Sequence, residues 1–182
     1  MLNGAIPKER IKDPQAINQP EVGDWIGRDP QRTPLPWTRG PNRGFAPPKA
    51  DPWLPVDPET ATPSIESQLC DPSSPLRFFQ QLAELRQSEP ALMKGDYREI
   101  AIDHEDIMAY ERSFGDQRFV IILYFGETPV TVPLEHPKTP WRLRLSTHPR
   151  PIAASLESPL TLGQYEGVIL QYETSQIERR RP

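Results

Sequence analysis

A single cysteine, Cys70, stands among the 182 residues of this chain. That excludes an intramolecular disulfide framework and any zinc site built on cysteine pairs. Histidine is nearly as scarce. His104, His136 and His148 are the only three, and their spacing is not that of metal ligands, so no metal or cofactor is expected. Apolar residues make up 36% of the chain, below the usual globular share, and no apolar run approaches the ~20 residues of a membrane span. No secretory hydrophobic region follows Met1, so the expectation is a chain in a reducing cytoplasm, with no membrane partner. Positive charge is short as well. The net charge of −4 argues against nucleic acid as the main partner. Arg179, Arg180 and Arg181 form a basic run, but one at the end of the chain, where a solvated tail is the expectation. No internal repeat of twenty to fifty residues is visible.

Proline is what the chain has in excess: 24 residues, fifteen of them within residues 1–75. They concentrate in Gly27-Arg28-Asp29-Pro30-Gln31-Arg32-Thr33-Pro34-Leu35-Pro36-Trp37. Proline fixes φ and removes a donor, so this run is neither helix interior nor central strand. It is a stiff loop. Two readings are open: a Pro-rich linker with incidental charges, or a rigid loop that aims a guanidinium into a polar cleft, where arginine's planar fork of donors suits hydroxyls and carboxylates. The aromatics Trp37, Phe45 and Trp53 follow without period. They can stack on sugar rings or anchor the loop by burying their own area, and anchoring is the commoner use.

Asp71-Pro72-Ser73-Ser74-Pro75 announces a helix, with Ser74 as N-cap and Pro75 at the first helical position. Leu76, Phe79, Leu82 and Ala83 then recur at helical spacing with Phe78 and Leu85 beside them, and Pro90 ends the helix. From Gly95 the period changes. Residues 97–102 alternate weakly, and residues 107–112 read as a strand joined by a turn at Gly115 to the apolar run Phe119–Phe125, a central strand buried on both faces. Residues 130–132, 141–145 and 167–172 follow as alternating strands. Short strands with frequent turns point to an antiparallel β-sandwich. Trp141, Tyr165 and Tyr172 read as core residues, with glucan binding as the rival use.

The loop carries a resemblance. Residues 27–37 resemble the G-R-D-x-x-R-T-P-M-x-W loop of glycoside hydrolase family 13, in its α-glucosidase, oligo-1,6-glucosidase and trehalose synthase branch. The resemblance extends through Ile6–Pro14, Asn42-Arg43-Gly44-Phe45, Trp53-Leu54-Pro55-Val56, Ser67–Ser74, Leu82–Arg86 and Pro90-Ala91-Leu92. Leu35 replaces the usual Met, a volume-conserving change. The implied fold class is mainly β. It is the last loop and helix of a (β/α)8 barrel followed by an antiparallel Greek-key β-sandwich, with residues 1–93, 94–175 and 176–182 as barrel end, sandwich and tail.

Glycoside hydrolysis needs two carboxylates facing each other across the bond. The family supplies them from Gly-Phe-Arg-x-Asp and the following barrel strand, with a third acid in Asn-His-Asp. Neither motif occurs in these residues. Asp103-His104-Glu105-Asp106 is the one dense acid–His cluster, and it reads as a solvated turn. No catalytic residue is therefore assigned, and the chain alone is expected to be inactive. One role carries over from the family: Arg28 contacts the bound glucose, while Arg32 braces the loop. The expectation is a C-terminal fragment or split subunit of an α-glucosidase-type enzyme. It would meet an α-glucoside only when the rest of the barrel is supplied, by an upstream polypeptide for example. A non-catalytic sandwich that binds glucan or a protein is the second reading. An unrelated all-β protein with a disordered Pro-rich arm is a third.

Overall fold

The computed structural model describes residues 6–19, 27–57, 62–134, 141–152, 155–156 and 158–172. His136, residues 58–61 of the long loop, the 176–182 tail and its arginine run lie outside them. The fold is mainly antiparallel sheet with few helices. It divides into two units, Met1–Phe79 and Gln80–Pro182.

The first unit is turns and short helices, as its proline content requires. Pro7 precedes a single 3-10 turn at Lys8–Arg10. Asp13, held extended by the following proline, caps α1 (Pro14–Asn18) by accepting from Gln15 N. Further 3-10 turns lie at Asp29–Gln31 and Pro41–Gly44. Helix α2 (Ile65–Cys70) is capped by Ser64, whose side chain accepts from Ser67 N. Its first amides reach back to the loop: Ile65 N donates to Pro36 O at 2.8 Å and Glu66 N to Trp37 O at 3.0 Å. Buried here are Leu54, Pro36, Thr33, Ser64 and Arg43, a small core with little aliphatic area.

Helix α3 (Pro75–Ser88) begins where capping chemistry predicts. Ser74 Oγ accepts from Arg77 N at 3.2 Å and donates to Gln68 O at 2.7 Å. The helix ends at Ser88, before Pro90. Pro90 does more than end it. It opens α4 (Pro90–Lys94), which buries Ala91 and Leu92. Of α3, only Leu85 is buried, and Phe79, on the predicted apolar stripe, is 66% exposed.

The strands are β1 (Asp96–Glu99), β2 (Ile107–Phe114), β3 (Gln117–Tyr124), β4 (Val130–Val132), β5 (Trp141–Ser146), β6 (Ser155–Leu156), β7 (Leu160–Leu162) and β8 (Gly167–Tyr172). One sheet has the order β1-β2-β3-β8-β5-β6, the other pairs β4 with β7, and every pairing is antiparallel. Central β3 is buried on both faces, as its unbroken apolar run predicts. Val120, Ile122 and Tyr124 enter a core cluster with Ala109, Leu143, Val168 and Leu170 of the large sheet and Val132, Leu160 and Leu162 of the small one. Phe119 and Ile121 are buried outside that cluster, on the opposite face. In β5 a register shift sets Leu143 opposite Leu170 but Leu145 opposite Ile169. The bulge thus moves Leu145 to the second face, where strict alternation would have kept it with Trp141 and Leu143. Trp141 is core, as expected, and Tyr172 packs edge-on against it at 5.5 Å. Tyr165 is not core.

Candidate functional site

The loop that carries Arg28 is held by two aspartates that exchange backbone donors. Asp29 Oδ2 accepts from Lys12 N at 2.6 Å and from Asp13 N at 2.8 Å. Asp13 answers with both oxygens: Oδ1 takes Gln15 N at 2.9 Å and Oδ2 takes Arg28 N at 3.1 Å. Both carboxylates are buried. The Arg28 and Gln15 amides, with the charges of Arg28 and Arg32, hold the Asp13 carboxyl below its ordinary value against the desolvation that opposes them. Gly27 makes the junction possible. Its φ of +94° is one that side chains avoid, and a Cβ there would stand 3.0 Å from Asp13 Cβ.

This staple fixes the Arg28 backbone and leaves its guanidinium outside. The side chain is 73% exposed, with Nε 3.7 Å from Asp13 Oδ2. That pair is long and one-sided, so the fork of terminal nitrogens remains available. Arg32 is exposed too. Among the described residues its side chain has no hydrogen-bond or ion-pair partner, so the bracing expected of it falls to Asp13 and Asp29. Asp29 Oδ1 and Thr33 Oγ1, at the base of the loop, are buried without a hydrogen-bond partner among the described residues.

A second residue that sequence reasoning passed over sets the loop's far end. Arg43 is buried, and among the described residues its guanidinium donates to carbonyls. Nε donates to Thr38 O at 3.2 Å, Nη1 to Asp57 O at 3.4 Å and Nη2 to Thr62 O at 2.8 Å. Its own carbonyl accepts from Trp37 N at 2.8 Å and Thr38 N at 3.0 Å. Asn42 and Arg43 both have positive φ, and Asn42 Nδ2 donates to Pro47 O and Ala50 O. Gly44, at φ +69°, leaves room for Thr38 Oγ1, which a Cβ would meet at 2.8 Å. The Asn-Arg-Gly triplet is therefore a turn with a buried hub, and its order of residue types was the available signal.

The aromatics expected to anchor this loop do not. Trp37 and Phe45 are half exposed and Trp53 is 61% exposed. The described residues of this unit offer too little apolar surface to cover them. In the second unit, Asp103–Asp106 stays a turn between β1 and β2, with His104 Nδ1 accepting from Asp106 N. No group of three or more potential metal ligands occurs among the described residues.

A family model described as the alpha amylase catalytic domain matches residues 1–95, just over half of the chain. The chain belongs to the alpha-amylase family, glycoside hydrolase family 13. It is 33% identical over 128 residues to the oligo-1,6-glucosidase of Parageobacillus thermoglucosidasius, a match covering 68% of this chain and 22% of that protein. It is 30% identical over 183 residues to the salivary alpha-glucosidase of Aedes aegypti, covering 94% of this chain and 31% of that one. Among solved structures, the trehalulose synthase MutB of Pseudomonas mesoacidophila MX-45 superposes with a TM-score of 0.69 at 26% identity, over 81% of this chain and 26% of that one. The chain thus spans between a fifth and a third of the length of these proteins. Among the described residues no helix is long and apolar enough to cross a membrane.

Proposed function

We propose that these residues form the C-terminal part of a cytoplasmic α-glucosidase-type glycoside hydrolase that acts on α-linked glucose oligosaccharides. Residues 1–93 then serve as the closing loop and last helix of its barrel and residues 94–175 as a Greek-key sandwich. The catalytic carboxylates come from polypeptide outside these 182 residues, and the retaining two-carboxylate route of the family applies to the assembled enzyme.

The observation that carries this reading is the posture of Arg28. Its backbone is pinned by Asp13, while its guanidinium stands 73% exposed with one loose contact. Such an arginine has its backbone placed and its donors free to meet hydroxyls, which suits positioning a sugar. Two further features support incompleteness of the site within this unit. Among the described residues, Asp29 Oδ1 and Thr33 Oγ1 are buried without a hydrogen-bond partner, a state that folded proteins rarely tolerate. The exposed Trp37, Trp53 and Phe79 await apolar neighbours.

The test is turnover of p-nitrophenyl α-glucoside, maltose and isomaltose. The purified chain shows none. Supplied with a polypeptide that carries the Gly-Phe-Arg-x-Asp and Asn-His-Asp segments, it restores activity, and Arg28→Ala then lowers kcat/KM by roughly one to two orders of magnitude. Turnover by the chain alone that disappears in Arg28→Ala would overturn the proposal.

A further inference from the structure

Tyr165 is the outlier of the second unit. Expected in the core, it is instead 55% exposed, and its φ of 52° is a genuine strain for an aromatic residue. It lies in the turn between β7 and β8. Its amide donates to Gly126 O at 3.1 Å and its hydroxyl donates to Glu127 Oε1 at 3.1 Å. Gly126 is buried, and the residue before it, Phe125, is 58% exposed. Two large rings therefore stand in water on adjoining backbone, with a carboxylate beside them.

The segment beneath them is fixed. Phe125 N donates to Asp106 O at 2.9 Å, and Tyr124 OH donates to Thr128 O across the turn. A Cβ on Gly126 would stand 2.2 Å from Tyr124 OH, so glycine is required there for packing. On the other side Glu166 N bonds Gly163 O, and buried Glu166 is held by Arg150, Ser146 Oγ and Gly163 N. Exposed rings are costly in water and a left-handed tyrosine is costly in strain; a frame this rigid holds both in place.

We propose that Phe125, Tyr165 and Glu127 form a surface platform that binds a neutral oligosaccharide. The CH faces of a pyranose suit the two rings, and its hydroxyls suit Glu127, which accepts without needing a counter-charge. The carboxylate argues against other occupants. A hydrophobic protein segment would desolvate Glu127 with the Tyr165 hydroxyl as its one donor among the described residues, and an anionic surface would be repelled by it. The use of α-glucans as probes rests on the function proposed above; the platform itself does not.

Calorimetric and NMR titrations of the whole chain with maltotriose, isomaltotriose and cellotriose decide the matter. Binding is expected at millimolar concentrations, with shift changes at Phe125 and Tyr165. Phe125→Ala weakens it roughly five- to tenfold, the size of one lost ring contact. Tyr165→Gly is the sharper variant: it relieves the strained φ, so the protein melts at the same or a higher temperature while binding falls by a similar factor. No binding of any trisaccharide up to about 10 mM overturns the proposal. So does binding that survives both substitutions, or a loss of self-association in their place, which would make a second copy the occupant. Cellotriose alone binding would keep the platform and count against an α-glucoside enzyme.

Discussion

At the scale of single residues, the chain's arginines divide by what their backbone needs. Arg28 and Arg43 sit in one Pro-rich segment, yet Arg28 is fixed through its amide and Arg43 through its guanidinium. The consequence for stability is opposite. Arg28→Ala removes an exposed side chain with one contact at 3.7 Å and is expected to change the melting temperature little, since such pairs are worth about 0–1 kcal/mol. Arg43→Ala leaves the carbonyls of Thr38, Asp57 and Thr62 without their buried donor and is expected to destabilise the first unit by about 3 kcal/mol. Limited proteolysis within residues 27–57, compared with wild type, reads this directly. Equal protection in Arg43→Ala would show that the carbonyls find water or other donors. The buried role of Arg43 was half legible: an Asn-Arg-Gly run signals a left-handed turn, but nothing local says which carbonyls the guanidinium will meet. The clasp of Asp13 and Asp29 was less legible still, because the two acids are sixteen residues apart and only the fold brings Asp29 to the Asp13 amide and Asp13 to the Arg28 amide.

At the scale of elements, what was legible is what is local. The start of α3 could be read because Ser74 and Pro75 act within one turn, and β3 because an unbroken apolar run fits burial on both faces. Helix α4 is hidden in the sequence because Pro90 reads equally as a stop, although the same fixed φ suits a first helical residue. The bulge that sends Leu145 to the other face leaves no mark in Trp-Arg-Leu-Arg-Leu, which alternates perfectly. Equally silent was the clamp between the β5–β6 connection and the β7–β8 turn. There Glu166 is buried, which alone would raise its pKa. Arg150 through both carboxylate oxygens, Gly163 N and Ser146 Oγ outweigh that and lower it from 4.5 to about 2. The unfolded chain thus binds a proton in this window that the folded one refuses. The clamp's contribution is complete above pH 4.5 and is lost as the pH falls toward 2. It amounts to about 2 kcal/mol once the partial exposure of Arg150 is discounted. Denaturant melts of wild type and Glu166→Gln should therefore differ by that much at neutral pH and converge as the pH falls through 4 to 2.5, within the window of the shift. A gap that stays constant with pH would assign the loss to packing instead.

At the scale of the whole molecule, the question is what the apolar surface of the first unit is for. Ile17, Trp37, Phe45, Trp53, Leu69 and Phe79 are all exposed large hydrophobics within Met1–Phe79. Scattered apolar residues on a surface need no explanation, but this many do in a unit whose described buried residues are largely polar, with Leu54 the one large aliphatic among them. A unit of this kind gains little from burial and stands on hydrogen bonds made by Asp13, Asp29 and Arg43. If it is completed by further polypeptide of the catalytic domain, those side chains are what completion covers. Tryptophan makes the point measurable, because Trp37 and Trp53 are exposed while Trp141 is buried. In a Trp25→Phe background, which removes the fourth tryptophan, acrylamide should quench a large part of the emission of the chain alone, and adding Trp37→Phe and Trp53→Phe should remove most of the quenchable part. With Trp37 and Trp53 in place, adding the polypeptide that restores glucosidase turnover should shift their emission to the blue and protect it, because each covered indole leaves water. Restored turnover with Trp37 and Trp53 still fully quenchable would mean that the missing carboxylates arrive by another face, and that these aromatics serve the sugar directly.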